Sequence, residues 1–189
     1  MKEIAKMLIV LTSICGICGL LLATVKDSTK VRIEEQELLN VKGPAVKKVL
    51  AGSSNDLIKD RKKVKIKDKE IVVFVGKKND QVWAIAYEVM GQGFGGDISL
   101  MVGFDVASNN LTGIGVTLHK ETPGLGSRIA EDGFTSVFKG KEMGGTFKIK
   151  GDGGDIDAIT GATISSRGVC SAVNQGVKIY NEIKSQVVK

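Results

Sequence analysis

The sequence has little of several residue types on which common functions rest. Its 189 residues include one histidine (His119), two prolines and three cysteines. One histidine gives no ligand set for a metal centre, and none is expected. Cys15 and Cys18 lie inside an apolar N-terminal run, which leaves only Cys170 elsewhere. A disulfide framework is thereby excluded outside that run. The C-x-x-C spacing of Cys15 and Cys18 has no second ligand pair and reads as two small residues in a membrane helix. Aromatics are also few, with one Trp and two Tyr. Proteins that stack bases on aromatic platforms usually carry more. The formal charge of +6 suits a nucleic acid or an anionic membrane surface. The basic residues, however, are scattered, with a local cluster at Lys59, Arg61, Lys62, Lys63, Lys65, Lys67 and Lys69 that reads as a solvated strand and turn. Nucleic-acid binding would rest on charge alone and is not expected.

What is present begins with the run Met7 to Val25, MLIVLTSICGICGLLLATV, which holds no charge. It just meets the ~20 apolar residues needed to cross a bilayer. No small-x-small cleavage site follows it convincingly, and Ile17 rather than a small residue precedes Cys18. An uncleaved, single-pass anchor is expected over residues 1–26. Basic residues flank both ends, so charge specifies orientation weakly. The short N-terminus favours staying inside, with the remaining chain outside.

A charged helix is expected over Ser28 to Asn40, interrupted at Gly43-Pro44, within a helical connector spanning 27–60. From Val64 the period changes to two: Val64 and Ile66 alternate with lysines, and Ile71, Val73 and Val75 fall at every second position of the next run. Gly76 to Asp80 reads as a turn. Val82–Met90, Asp97–Val106 and Leu111–Leu118 read as further strands, with a flexible glycine corner at Gly91–Gly96. Short connections between consecutive strands imply an antiparallel sheet. Helices are expected over Gly126–Phe138 and after Thr163, where Val169, Ala172, Val173, Val177, Tyr180 and Ile183 fall on one face. The expected fold class is α+β: an antiparallel sheet with flanking helices in residues 61–189, behind one N-terminal transmembrane helix.

Two glycine-bearing segments carry the functional reading. Asp157-Ala158-Ile159-Thr160-Gly161-Ala162-Thr163 is a turn leading into a helix, and Thr163, Ser165 and Ser166 are all N-cap types. A helix start presents free N–H groups to a phosphate. Gly161 permits close approach of the backbone, and Arg167 falls in the first turn. A threonine hydroxyl there can attack an activated nucleotide diphosphate and keep its phosphate as an ester. On spacing alone an ordinary capped helix is the plainer reading of the segment. In His119-Lys120-Glu121-Thr122-Pro123-Gly124-Leu125-Gly126, Pro and Gly shape a turn after a strand. Glu121 and Thr122 suit the polar edge of a ring system, Leu125 its apolar face, and His119 reads as a structural hydrogen-bonding group. Lys148 and Lys150 share one face if Phe147–Lys150 is a strand. There they would favour an anionic reduced ring; solvent-facing lysines are the plainer reading.

Asp157-x-x-Thr160-Gly161-Ala162-Thr163 resembles the flavinylation motif D-x-x-(S/T)-G-A-T, whose last threonine carries flavin mononucleotide (FMN) through its phosphate. His119-x-Glu121-Thr122-Pro123-Gly124-Leu125-Gly126 is similar to the other signature of the same family. That family contains the G subunit of the Rnf ion-translocating ferredoxin:NAD oxidoreductase complex and the C subunit of the sodium-pumping NADH:quinone reductase. The resemblance covers essentially the whole chain, and the short length is closer to the Rnf protein. It implies covalent FMN on Thr163, with Glu121, Thr122, Gly124, Leu125, Gly126, Thr160, Gly161 and Ala162 holding the cofactor. His119, Asp157, Arg167, Lys148 and Lys150 are further candidates. It also implies an electron relay with no catalytic acid or base of its own, in a bacterial inner-membrane complex that moves sodium ions or protons. The flavin domain would lie on the extracytoplasmic side. Its partners would be the other membrane subunits and a flavin transferase that uses FAD and a divalent metal ion. The contrasting reading is a membrane-tethered module that binds a phosphate compound or aids assembly, without redox activity.

Overall fold

The computed structural model describes residues 2–66 and 69–187; Lys67 of the basic cluster lies outside them. The chain divides into two units, Met1–Leu38 and Leu39–Lys189.

The first unit is one helix, α1, Lys2–Glu37, with no buried residue. By length and composition it can cross a membrane. Thr12 Oγ1 donates to Leu8 O at 2.8 Å and Thr24 Oγ1 to Leu21 O at 2.9 Å. Both hydroxyls are thus satisfied on the helix itself, as lipid requires. The helix does not break at Lys26-Asp27, because no Gly or Pro follows until Gly43-Pro44.

The second unit opens with a π-helical turn, Leu38–Lys42, and a short helix α2, Gly43–Val49. Gly43-Pro44, expected to interrupt a helix, instead starts this one. Pro44 sits in the first turn, where its missing N–H costs nothing.

Five strands follow: β1 Arg61–Ile66, β2 Lys69–Lys78, β3 Gln81–Gln92, β4 Asp97–Asp105 and β5 Leu111–Leu118. They form one antiparallel meander in the order β1-β2-β3-β4-β5. The period-two pattern located β1 and β2, and runs bounded by turn residues located β3, β4 and β5. The turn expected over Gly76–Asp80 is narrower, with β2 continuing to Lys78 through a bulge at Gly76/Lys77. The reversal is made by Asn79 and Asp80, both at positive φ (50° and 63°), as two-residue hairpins require.

One sheet face carries Val73, Ile85, Tyr87, Leu100, Val102 and Phe104, buried against α4, Thr163–Val187. Tyr87 stacks on Phe104 (centroids 4.9 Å apart), and its hydroxyl donates to Gly176 O at 2.8 Å. Gly168, Ala172 and Gly176 form the small-residue stripe of α4 that faces β3. A Cβ on Gly91 would lie 2.1 Å from Gly168 O, and one on Gly168 2.4 Å from Gln92 O. Helix and strand therefore meet backbone to backbone at this end. The opposite face packs α2 onto β4 and β5, where Val49 approaches Gly103 and Ala45 approaches Gly115.

The helix expected over Gly126–Phe138 is three short pieces: a 3-10 turn Gly126–Ala130, α3 Asp132–Thr135 and a 3-10 turn Ser136–Phe138. Phe134, Phe138 and Phe147 bury this crossover through ring contacts of 5.6 and 6.1 Å. Phe147–Lys150 is not a sheet strand. It is extended, touches Ile156 only through a single parallel bridge at Ile149, and enters a 3-10 turn at Lys150.

Candidate functional site

A meander returns every second strand in the same direction. The C-terminal ends of β3 and β5 therefore emerge at one end of the sheet, about 10 Å apart with β4 between them. The glycine corner 91–96 leaves β3 there and the loop 119–126 leaves β5 there. The start of α4 reaches the same end through its glycine contact with β3. These three segments line a cleft of ≈ 350 Å³ formed by Phe94, Glu121, Thr122, Leu125, Gly126, Gly161, Ala162, Thr163, Ile164 and Ser165. Larger and similar hollows lie elsewhere, around Lys141–Asp155 and beside Lys48 and Thr112. Neither carries residues of the two glycine-bearing segments.

Both loops are built on the same kind of turn. In Thr122-Pro123-Gly124-Leu125, Leu125 N–H donates to Thr122 O at 3.2 Å and Gly124 takes φ +73°. In Ile159-Thr160-Gly161-Ala162, Ala162 N–H donates to Ile159 O at 2.9 Å and Gly161 takes φ +79°. Glycine third in the turn is the type II pattern. The turns face each other closely: a Cβ on Gly161 would lie 2.8 Å from Leu125 Cδ1.

Thr163 is exposed and is the first residue of α4. The first intrahelical bond runs from Ser166 N–H to Ala162 O at 3.0 Å. The amides of Thr163, Ile164 and Ser165 precede it and have no helical acceptor. The expected cap is corrected: Ala162 holds the cap position, and Ser165 and Ser166 are buried in the first turn. Ser166 Oγ donates to Ala162 O at 3.0 Å and accepts from Ile159 N–H at 3.1 Å, which fixes the turn. Glu121 is 5% exposed. Its Oε1 accepts from Gly95 N–H at 2.9 Å, and its Oε2 accepts from the Ser165 hydroxyl. His119 Nδ1 lies 3.3 Å from Glu121 N–H, which donates to it.

Other expected residues stand apart from the cleft. Arg167 donates through Nε and Nη2 to Asp152, both at 2.6 Å. The guanidinium holds the Asp152 carboxyl below its ordinary value. Lys150 pairs with Asp157 at 2.8 Å, and Lys148 is exposed. Phe94, Ile164 and Ser165 are the lining residues that sequence reasoning missed, Ser165 reading only as a cap type. The available signal was Gln92-Gly93-Phe94-Gly95-Gly96, an aromatic set among glycines, 70% exposed in the folded chain.

Cleft, helix start and antiparallel sheet together define a binding domain suited to a ligand with a phosphate and an apolar part. The family model described as FMN-binding domain matches residues 93–178, a range that contains every cleft-lining residue. The G subunit of the ion-translocating oxidoreductase complex of Vibrio vulnificus is 37% identical over 129 residues, 64% of this chain and 60% of that protein. The G subunit of Vibrio atlanticus is 32% identical over 183 residues, 89% of this chain and 85% of that protein. The chain belongs to this family of G subunits. It matches about 60% of the length of several other relatives, including those of Vibrio vulnificus and Salmonella typhi. Among solved structures, the C subunit of the Na(+)-translocating NADH-quinone reductase of Parabacteroides distasonis superposes with a TM-score of 0.52. It is 28% identical, over 68% of this chain and 67% of that one. NqrC of Shewanella oneidensis, 24% identical with a TM-score of 0.52 over 71% of each chain, shares the fold.

Proposed function

We propose that Thr163 carries FMN covalently through a phosphate ester, and that the protein relays electrons as one component of a membrane-bound, ion-translocating oxidoreductase complex. One observation carries this reading: the exposed Thr163 hydroxyl stands at a helix start whose first three amides lack helical acceptors, beside an apolar cleft. The residues present fit the group. The first turn of α4 offers N–H donors and a positive dipole end to a phosphate. Gly161 and Gly124 keep both turns low, and Phe94, Leu125 and Ile164 give apolar walls for a flat ring.

Bound there, FMN supplies reversible one- and two-electron chemistry. The chain holds and orients it. Thr163 keeps the phosphate, the apolar walls exclude water from part of the ring, and the open side leaves an edge for redox partners. No side chain of the chain itself acts as a catalytic acid or base in this reading. Thr122, Thr160 and the backbone of both turns complete the cofactor site. Lys150 and Arg167 are engaged by carboxylates, and Lys148 stands outside the cleft lining with its charge acting on Asp152. Lys148→Ala should leave the midpoint potential unchanged; a lowered potential would bring Lys148 into the field of the flavin.

Membership in the G-subunit family supports the rest of the proposal. The partners are other membrane subunits of the complex, and maturation uses a flavin transferase with FAD as donor. The helix over residues 7–25 spans the bacterial inner membrane once, with the flavin domain on the extracytoplasmic side. Co-expression with a flavin transferase, followed by denaturing electrophoresis, tests the bond. The expected result is flavin fluorescence on the protein band, lost in Thr163→Val. A dark wild-type band overturns covalent attachment and favours a module that binds phosphate compounds without redox chemistry. A fluorescent Thr163→Val band places the ester elsewhere.

A further inference from the structure

The geometry points to Glu121 as a positioning residue of the cleft rather than a flavin ligand: its carboxylate ties the glycine corner that carries Phe94 to the first turn of α4. This rests on reading the cleft as the flavin site. Glu121 is buried while its neighbours Lys120, Thr122, Pro123 and Gly124 are exposed. A buried carboxylate needs partners, and none of the ion pairs among the described residues includes it. Dipoles serve instead. Oε1 takes the Gly95 N–H and Oε2 the Ser165 hydroxyl, next to the positive end of α4.

The surrounding backbone is shaped around that carboxylate. A Cβ on Gly93 would lie 2.2 Å from Oε1, and one on Gly126 2.8 Å from Oε2. Two glycines thus leave room for the acid and for nothing more. Glu121 lines the cleft, but both its oxygens are already taken by protein donors, which leaves the carboxylate no free bond to offer a ring. Its effect passes through Phe94. That side chain sits between Gly93 and Gly95, and its corner is held by Gly93 N–H to Gly96 O at 2.8 Å and by the Glu121 bond. A corner this rich in glycine has wide conformational freedom once released.

The test uses the full-length protein, co-expressed with a flavin transferase and purified in detergent, as wild type, Glu121→Gln, Glu121→Ala and Ser165→Ala. The readouts are visible circular dichroism of the bound flavin, its midpoint potential, and amide exchange at Gly95. Gln is isosteric and uncharged, and its amide can accept from Gly95 while donating to the Ser165 oxygen. Glu121→Gln should therefore keep both the dichroism and the potential. Glu121→Ala should lose the dichroic band and speed Gly95 exchange by about tenfold, the scale of one charge-assisted hydrogen bond. Ser165→Ala should fall between them. A Glu121→Gln potential displaced as far as that of Glu121→Ala would mean the charge acts on the ring, and overturns the proposal. So does unchanged dichroism in Glu121→Ala or, should that variant not accumulate, in Ser165→Ala. If the wild type carries no flavin, the flavin reading falls separately. Unchanged Gly95 exchange in Glu121→Ala then overturns the tie.

Discussion

Asp152 and Arg167 show how a side chain's partner decides its role. Arg167 occupies the first turn of α4, where a phosphate contact is reasonable from sequence. Its guanidinium is instead bonded twice to Asp152 at 2.6 Å, so it fastens the loop before the Thr163 turn to the helix. The arginine, first through hydrogen bonding and then through charge, holds the Asp152 carboxyl below its ordinary value of 3.8. A carboxylate depressed in the folded state contributes stability above its unfolded pKa. That contribution disappears as pH falls through the folded value. Asp152→Asn should therefore lower the melting temperature near pH 7, and the difference from wild type should vanish in strong acid. Melting curves from pH 7 to pH ~2 check this; a difference that persists in acid would show that packing, not charge, is at stake. Asp155, lowered by Lys141, adds to the same acid sensitivity. Cys170 behaves differently: burial first, then Asp152 and Asp155, push its thiol up to about 11. It is an inert core residue.

Among the elements, the decisive contact is α4 on β3. Gly168, Ala172 and Gly176 recur every four residues and so share a helix face. Gly168 lies where a Cβ would meet Gln92 O at 2.4 Å and Gln92 C at 3.0 Å. Both atoms are backbone at the mouth of the cleft, so relief requires the helix to move. Gly168→Ala should cost about 1–3 kcal/mol by overpacking and reduce flavin attachment by shifting the Thr163 turn. Gly144→Ala, with nothing within 4 Å of the added carbon, should stay within about 0.5 kcal/mol of wild type. Chemical denaturation of both variants checks the contrast. β1 and α4 were legible because their periodicity is a local consequence of one buried face; β4, buried on both faces, was legible from the turn residues that bound it. The segment Gly126–Phe138 was not. Its apolar residues fit a helix, but Phe134 and Phe138 are fixed by ring contacts with each other and with distant Phe147, and these break it into short turns.

Taken whole, the molecule holds α1 and the sheet domain as separate units by internal contact, divided at Leu38/Leu39. The second unit holds the buried core and the cleft. A fragment spanning residues 39–189 should fold without the anchor, as a unit with its own core does. It should give a cooperative thermal transition and a far-ultraviolet spectrum with both strand and helix content. A non-cooperative melt would show that α1 contributes to the core.

Residue order was enough for the elements whose cause is local: the apolar run of α1, the five strands between turn residues, the apolar face of α4 and both glycine turns. It named Thr163 together with Ser165 and Ser166 as hydroxyls near a helix start; only the resemblance to the flavinylation motif set Thr163 apart from the other two. Which segments share the cleft depends on the folded chain. A meander sends the ends of β3 and β5 to the same side, and that brings the corner bearing Phe94 against the loop bearing Glu121. The same long-range geometry buries Glu121, whereas Arg167 and Lys150 meet their carboxylates within the loop that precedes α4 and its first turn. Partners brought together by strand direction leave no mark in local spacing.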